Sequence, residues 1–150
     1  HSLVERVFDD VSQRAERRDI SLHNDVPEEM TTEADPEALD QILINLVNNA
    51  IKYGSEGGRA DVLAMEADDG IRVEIRDDGP GVGPHQVDRL FERFYRVDSG
   101  RSRDVGGTGL GLAIVKHLVN AQGGDVGYEP NEPTGSIFWF TLPSRDESHR

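Results

Sequence analysis

Apolar residues recur at helical intervals at the start of the chain and again over a longer segment in its first third. From Leu3 to Ala15 they lie three or four residues apart, which predicts an amphipathic helix. A helix over 36–53 is predicted by Asp35-Pro36-Glu37, which supplies a capping acid, a proline in the first turn and a second acid. Gly54 is suited to end this helix. Its apolar stripe consists of Leu39, Ile42, Leu43, Leu46, Val47 and Ala50.

Extended patterns alternate with the helical ones. The segment 20–26 indicates a strand that Pro27 stops. Over 71–76, apolar residues alternate with charged ones, which predicts a half-buried strand. The turn signal Asp69-Gly70 precedes that strand, so 60–67 is predicted to pair with it as an antiparallel hairpin.

The second half of the chain continues this mixture. A helix is predicted to begin near Pro84, and the polar, glycine-rich segment 96–109 is predicted to be a long mobile loop. Another helix is predicted from Leu110 to Ala121, closed by Gly123-Gly124, and the last strands at 125–129 and 135–142. Because strands and helices do not alternate strictly, the sequence favours an α+β two-layer sandwich over a doubly wound parallel sheet.

Length, composition and charge exclude several classes of function. A length of 150 residues fits one domain, and the 35% of hydrophobic residues together with 16 glycines fit a folded one. A net charge of -13 argues against general binding to nucleic acid or anionic membranes, and no apolar run is long enough to cross a membrane. With no cysteine, disulfides and thiolate zinc sites are excluded.

The window 89–103 departs from the acidic average of the chain, because it has five arginines and only two acids. It indicates either a solvated loop or a local anion site.

Three polar residues of the helix 36–53 are candidates for a metal and phosphate site. At about 100° per residue, Asn45, Asn49 and Lys52 share one face, opposite the apolar stripe. Mg²⁺ accepts a few protein oxygens and lets substrate phosphates supply the rest, and lysine holds phosphate as a point charge. The alternative is an ordinary solvent-exposed face.

Two glycine-rich motifs are candidates for ligand contact. In the stretch from Asp77 to Gly83, the glycines allow close approach, and Asp77 could accept a hydrogen bond from an amine such as that of adenine. The alternative is a simple turn. The segment 106–112 opens a predicted helix, where free backbone N–H groups bind anions. It matches neither the dinucleotide fingerprint nor the phosphate loop, so its phosphate site would be of another kind.

These motifs together resemble the ATP-binding catalytic domain of bacterial two-component sensor histidine kinases, in the GHKL ATPase superfamily. The segments 41–53, 77–82, 90–96 and 107–115 are similar to that family's N, G1, F and G2 boxes, and 135–143 to its last strand. The resemblance covers about 35–143. It implies a mixed, largely antiparallel sheet covered on one face by about three helices, in a single domain over 1–150.

The resemblance implies a role for each matching residue. Asn49 would be the magnesium ligand and Asp77 would bind the adenine amino group. Asn45, Lys52 and Arg96 would be the catalytic residues at the phosphates, and 96–108 would be the ATP lid. The whole nucleotide-binding set would be Asn45, Asn49, Lys52, Tyr53, Asp77, Gly79, Gly81, Val82, Arg93, Arg96, Thr108, Gly109, Leu110, Gly111, Leu112 and Ser136.

The resemblance also implies the reaction and the partners. In ATPase relatives the position of Asn45 is commonly Glu, a base for water; an asparagine cannot take a proton, which favours transfer to a histidine. None of the five histidines lies in the family's phospho-acceptor context. We therefore expect a fragment in which 1–18 follows an absent dimerisation domain and 144–150 form a disordered tail.

The expected cofactors are ATP and Mg²⁺. The expected partners are a histidine-bearing dimerisation domain and a response regulator, without nucleic acid or direct membrane contact, in the cytoplasmic part of a membrane-anchored parent. Two alternatives stay open. One is a GHKL serine kinase acting as an anti-sigma factor, and the other is a degenerate nucleotide-binding module used for docking.

Overall fold

The computed structural model describes residues 2–27, 35–53, 57–67, 70–79, 111–131 and 135–143. Three helices lie in these ranges: α1 (Ser2–Arg17), α2 (Pro36–Tyr53) and α3 (Gly111–Ala121). The strands are β1 (Ser21–Asp25), β2 (Arg59–Ala67), β3 (Gly70–Asp77), β4 (Val126–Pro130) and β5 (Ser136–Pro143). Gly54, the predicted helix near Pro84, the whole predicted loop 96–109 and the tail 144–150 lie outside the described residues.

The strands form one mixed sheet in the order β1-β2-β3-β5-β4. β1 runs parallel to β2, and every other neighbouring pair is antiparallel. The predicted hairpin is confirmed, because β2 pairs with β3 from Ala60 opposite Asp77 to Ala67 opposite Gly70. The predicted α+β class is therefore confirmed, and a purely parallel sheet is excluded for the described part of the chain.

Local signals at the helix ends account for the bounds of α2 and α3. The Asp35 side chain accepts a hydrogen bond from the backbone N–H of Glu37 at 3.1 Å, so it caps α2 as predicted. At the end of α3, Gly123 has a φ of 86°, and the N–H of Gly124 donates to the carbonyl of Val119 at 3.0 Å. This left-handed glycine ends the helix, as the sequence predicted.

The hydrophobic core lies between the helices and one face of the sheet. Alternate strand residues point to this inner face, because side chains alternate across a strand. They pack against the apolar faces of all three helices. The largest fully buried side chains are Val7, Val11, Ile42, Leu46, Val47, Val62, Ile75, Val115, Val119, Phe140 and Leu142. None of the helices in the described ranges is long and apolar enough to cross a membrane.

The outer face of β3 carries an ion-pair cluster. Alternation alone predicts that Glu74 faces water, yet this residue is only 6% exposed. Its carboxylate accepts hydrogen bonds from the Nε atoms of Arg72 and Arg76, each at 2.8 Å, and Arg72 also stacks 4.6 Å from the ring centroid of Trp139. Burial raises the pKa of Glu74, but the two guanidinium groups outweigh it and hold that pKa below the ordinary value.

Candidate functional site

α2 is the central helix of the described structure and connects the parts of the candidate site. It packs against α1 on one side and α3 on the other, and it contacts β2 and β3 below. β3 ends with Asp77, and α3 begins at Gly111. The fold therefore brings the helix with the candidate polar face into contact with the elements that carry the two glycine-rich motifs.

The polar residues of α2 are half-buried and do not form a fully exposed face. Asn45, Asn49 and Lys52 are all partly covered. Asn48, which lies among them in sequence, has another role, because its Oδ1 accepts a hydrogen bond from Arg14 Nη1 of α1 at 2.9 Å. An ordinary solvent-exposed face, the alternative considered from sequence, does not fit this burial.

Asn45 carries a buried donor without a partner. Its Nδ2 atom is inaccessible to solvent and makes no hydrogen bond to any residue that the structure describes. A buried amide left unpaired costs about 1–3 kcal/mol, so native proteins seldom retain one without a reason. An anionic oxygen placed beside Asn45 would satisfy this donor.

The end of α2 is held by a side chain from the segment after α1. Arg18 Nη1 donates to the carbonyl oxygen of Ile51 at 2.8 Å and also to that of Lys52. These carbonyls belong to the last turn of α2, where a cation both satisfies the free oxygens and offsets the helix dipole. Arg18 therefore fixes the backbone from which the Lys52 side chain projects.

Replacing Arg18 with alanine is expected to lower the free energy of unfolding by about 1–3 kcal/mol, because two half-buried carbonyls lose their donor. Urea denaturation measures this change. Arg17→Ala is the matched control, since Arg17 is exposed at the end of α1. Equal effects of the two substitutions would contradict the assigned role of Arg18.

Asp77 is a buried carboxylate at the end of β3. It is 5% exposed and points to the inner face, between Ala60 of β2 and Ser136 of β5. Both flanking side chains are small. The backbone N–H of Gly79 donates to Asp77 Oδ1 at 2.9 Å, and the backbone of Ser136 also hydrogen-bonds to the carboxylate.

The surroundings of Asp77 disfavour the charged form of its carboxyl group. Burial raises its pKa to about 6, against the lowering effect of the two backbone hydrogen bonds, and the charge of Asp78 adds to the rise. At neutral pH the group is therefore a charged, poorly solvated acceptor. A donor on a ligand would replace the lost hydration and stabilise this charge.

Ser136 and Tyr128 lie next to Asp77 on the inner face. The Ser136 side chain is 5% exposed, and its Oγ lies 3.4 Å from the hydroxyl of Tyr128. Tyr128 in turn packs edge-to-face on Phe138, with 5.3 Å between ring centroids. Two hydroxyl groups thus lie on the same side of the sheet as the carboxylate, where they could hold a bridging water.

The described residues suit a metal ion that takes most of its ligands from a bound phosphate and from water. In the described ranges, histidine and acidic side chains form no group of three or more that could hold a metal ion. A Mg²⁺ site built from carboxylates is therefore absent there. The amide oxygens on α2 suit Mg²⁺ that takes most of its ligands from phosphates and water.

The remaining predicted residues fall into two groups. Of Tyr53 only the helical backbone is described; Gly111 is the first residue of α3, and Leu112 is half-buried against the core. The others lie outside the described residues: Gly81, Val82, Arg93, Arg96, Thr108, Gly109 and Leu110, together with the predicted lid 96–108.

Sequence reasoning missed Arg18, Tyr128, Asn131 and Gly135. Asn131 donates to the carbonyl oxygen of Asp77, and Gly135 lies against the same atom. For Asn131 and Gly135 the only local signal was the run of turn-forming residues around them, between the two predicted last strands. Such a run indicates a turn but does not reveal which distant residue the turn contacts.

Comparisons with known proteins agree with this arrangement. The family model described as histidine kinase-, DNA gyrase B- and HSP90-like ATPase matches residues 34–146. The sensor histidine kinase WalK of Bacillus subtilis is 40% identical over 121 residues, which are 79% of this chain and 20% of WalK.

Two solved structures are also similar. Full-length ShkA in complex with AMPPNP has a TM-score of 0.81 and 38% identity, over 95% of this chain and 29% of that one. Histidine kinase ThkA in complex with the response regulator TrrA has a TM-score of 0.79 and 25% identity, over 97% of this chain and 40% of that one.

The chain belongs to the family of histidine kinase-, DNA gyrase B- and HSP90-like ATPases, as its four sequence motifs predicted. Within that family, WalK and ThkA are histidine kinases. The chain spans about a fifth of the length of WalK.

Proposed function

We propose that this domain binds Mg·ATP and transfers the γ-phosphoryl group to a histidine on a separate dimerisation domain, as part of two-component signalling. The observation that carries the proposal is the buried Asp77 carboxylate, flanked by the small side chains of Ala60 and Ser136, on the sheet that α2 contacts. The adenine amino group would donate to Asp77, while the phosphates would lie over the polar residues of α2 and the start of α3. The complex of ShkA with AMPPNP supports nucleotide binding by this domain.

Three residues of α2 would each make a different contact with the phosphates or with the metal ion. Asn45 Nδ2, buried and unpaired in the described structure, would donate to a phosphate oxygen, and the Lys52 ammonium would offset phosphate charge. Asn49 would hold Mg²⁺ through its amide oxygen. The ion would supply further neutralisation of the negative charge on the transferring group.

The same residues favour a histidine acceptor over water or a serine hydroxyl. Asn45 has no basic atom, so this position cannot remove a proton from a weak nucleophile. A neutral imidazole needs no such help, because its unprotonated nitrogen carries a lone pair near pH 7. That nitrogen would form a bond to the γ-phosphorus while the bond to the bridging oxygen breaks and ADP leaves. The name of WalK supports the histidine kinase over the serine-kinase alternative.

The partners follow from the proposed reaction. The phosphohistidine would pass its phosphoryl group to a response regulator, as the complex of ThkA with TrrA suggests for a related kinase. The acceptor histidine would belong to the same parent protein. Because ATP is the substrate, we place this domain on the cytoplasmic side of a membrane-anchored parent.

Phosphotransfer tests the proposal. With γ-labelled ATP, Mg²⁺ and a separately purified dimerisation domain of a related sensor kinase, the label is expected on that domain in acid-labile form and not on this chain. Asn49→Ala should slow transfer about a hundredfold, because a ligand of the metal is lost. Asn120→Ala, an exposed change on α3, is the matched control and should transfer at the wild-type rate. Acid-labile label retained by this chain alone would contradict the proposal.

A further inference from the structure

The loop between β4 and β5 reaches back to the end of β3. Asn131 follows β4, and its Nδ2 donates to the backbone carbonyl oxygen of Asp77 at 2.9 Å. Its own backbone N–H donates to the carbonyl oxygen of Gly135 at 3.2 Å, which closes the loop on itself. The backbone of Asn131 is therefore bonded to Gly135, and its side chain is bonded to the backbone carbonyl of Asp77.

Gly135, in the same loop, packs closely against the backbone carbonyl of Asp77. It has a φ of 120°, and a Cβ atom at this position would lie 1.9 Å from the carbonyl oxygen of Asp77. The next residue, Ser136, hydrogen-bonds to the Asp77 carboxylate through its backbone. One hairpin thus contacts both the main chain and the side chain of the buried acid.

The hydrogen bond from Asn131 restrains the peptide unit that follows Asp77, and this restraint bears on the orientation of the Asp77 carboxylate. The carbonyl of Asp77 belongs to the peptide unit that leads to Asp78, where the chain leaves the sheet. Rotation about the Cα–C bond of Asp77 would move this carbonyl and, with it, the N–H of Gly79, which donates to Asp77 Oδ1 at 2.9 Å. Hydrogen bonds weaken steeply as their angle worsens, so a small rotation would change the direction of the carboxylate.

We propose that Asn131 is a positioning residue, which directs the Asp77 carboxylate toward the 6-amino group of the bound adenine by holding the Asp77 carbonyl. This inference rests on the proposed function, since it concerns how ATP is selected. Asn131 would not touch the nucleotide, and its effect would therefore depend on the amino group that Asp77 recognises.

Two nucleotides separate positioning from general stability. ATP carries the 6-amino group, and purine riboside 5′-triphosphate lacks it. Calorimetric titration with Mg²⁺ should show that Asn131→Ala weakens ATP binding about three- to tenfold, the usual worth of one hydrogen bond, and purine riboside triphosphate binding less than about twofold. Asn131→Leu, which is of similar size but cannot donate, should show the same pattern. Asn120→Ala, exposed on α3, should leave both affinities unchanged.

Each result decides the inference. If the Asn131 variants lose affinity for both nucleotides equally, the residue has only a structural role and the inference is wrong. It is also wrong if neither affinity changes. If the alanine variant does not fold, the leucine variant carries the same prediction. If the folded wild-type chain binds neither nucleotide, the proposed function itself fails and the inference falls with it; wild-type binding with unaltered variants overturns the inference alone.

Discussion

The Asp77→Asn variant is expected to be more stable than the wild-type chain at pH 7.5 and yet to bind ATP at least about thirtyfold more weakly. The loss of affinity follows from the geometry of the site. If the amide oxygen keeps the hydrogen bond from Gly79, the amide nitrogen takes the place of the other carboxylate oxygen. A donor would then face the donor of adenine, which a buried site rejects strongly.

The gain in stability follows from the sign of the pKa shift. Burial raises the pKa of Asp77 to about 6 in the folded chain, above the value of 3.8 for an unperturbed group. The folded state therefore favours the neutral acid, and ionisation destabilises it progressively from about pH 4 to 6 by up to roughly 3 kcal/mol. Asparagine removes this cost but leaves amide hydrogens unpaired, so the net gain at pH 7.5 is expected to be about 1–2 kcal/mol.

Urea denaturation of both chains from pH 4 to pH 8 measures the effect. The difference in unfolding free energy should change in favour of the variant as the pH rises through this window, and then remain constant above about pH 6.5. A variant less stable than the wild type at pH 7.5 would show that the carboxylate contributes to folding. It would then not be a group held at a cost for ligand binding.

Gly135→Ala is expected to lower the free energy of unfolding by at least about 3 kcal/mol and to abolish ATP binding. The new Cβ would lie 1.9 Å from the Asp77 carbonyl oxygen and 2.9 Å from the Cα of Asp78, which are backbone atoms that cannot rotate away. The φ of 120° adds strain for any residue with a side chain. The hairpin must therefore move away from β3 and take the contacts to Asp77 with it.

Gly57→Ala is the matched control for this substitution. Gly57 also has a positive φ, of 81°, but nothing lies within 4 Å of the position of its Cβ. Its cost should therefore be backbone strain alone, about 1–2 kcal/mol, with little effect on ATP binding. Thermal unfolding and nucleotide titration of both variants provide the comparison. Similar stability and affinity in the two variants would show that the hairpin is not tightly packed on the end of β3.

The elements that the sequence predicted well are those specified by neighbouring residues. The bounds of α2 follow from its cap at Asp35 and from an apolar stripe of helical period, and the β2–β3 hairpin follows from alternation on both sides of a turn signal. Four motifs in order were sufficient to predict the family. In each case the physical cause lies within a few residues of its effect.

The parts that sequence reasoning missed depend on contacts between distant segments. Arg18 and Asn131 bind backbone carbonyls that are 33 to 54 residues away, and such pairs have no periodic signature. Glu74 is paired with Arg72, and Arg72 in turn contacts Glu129 and Trp139 on other strands, which the alternation of a single strand cannot show. Predicting these contacts requires the order and register of the strands.

Titration of the wild-type chain with ATP and with GTP, in the presence and absence of Mg²⁺, is the decisive experiment for the role of Asp77. We expect saturable binding of ATP that Mg²⁺ strengthens, and a preference for ATP over GTP because Asp77 accepts from the adenine amino group. A folded sample that binds neither nucleotide, or that binds GTP as well as ATP, would contradict the account of Asp77 as the acceptor that selects the base.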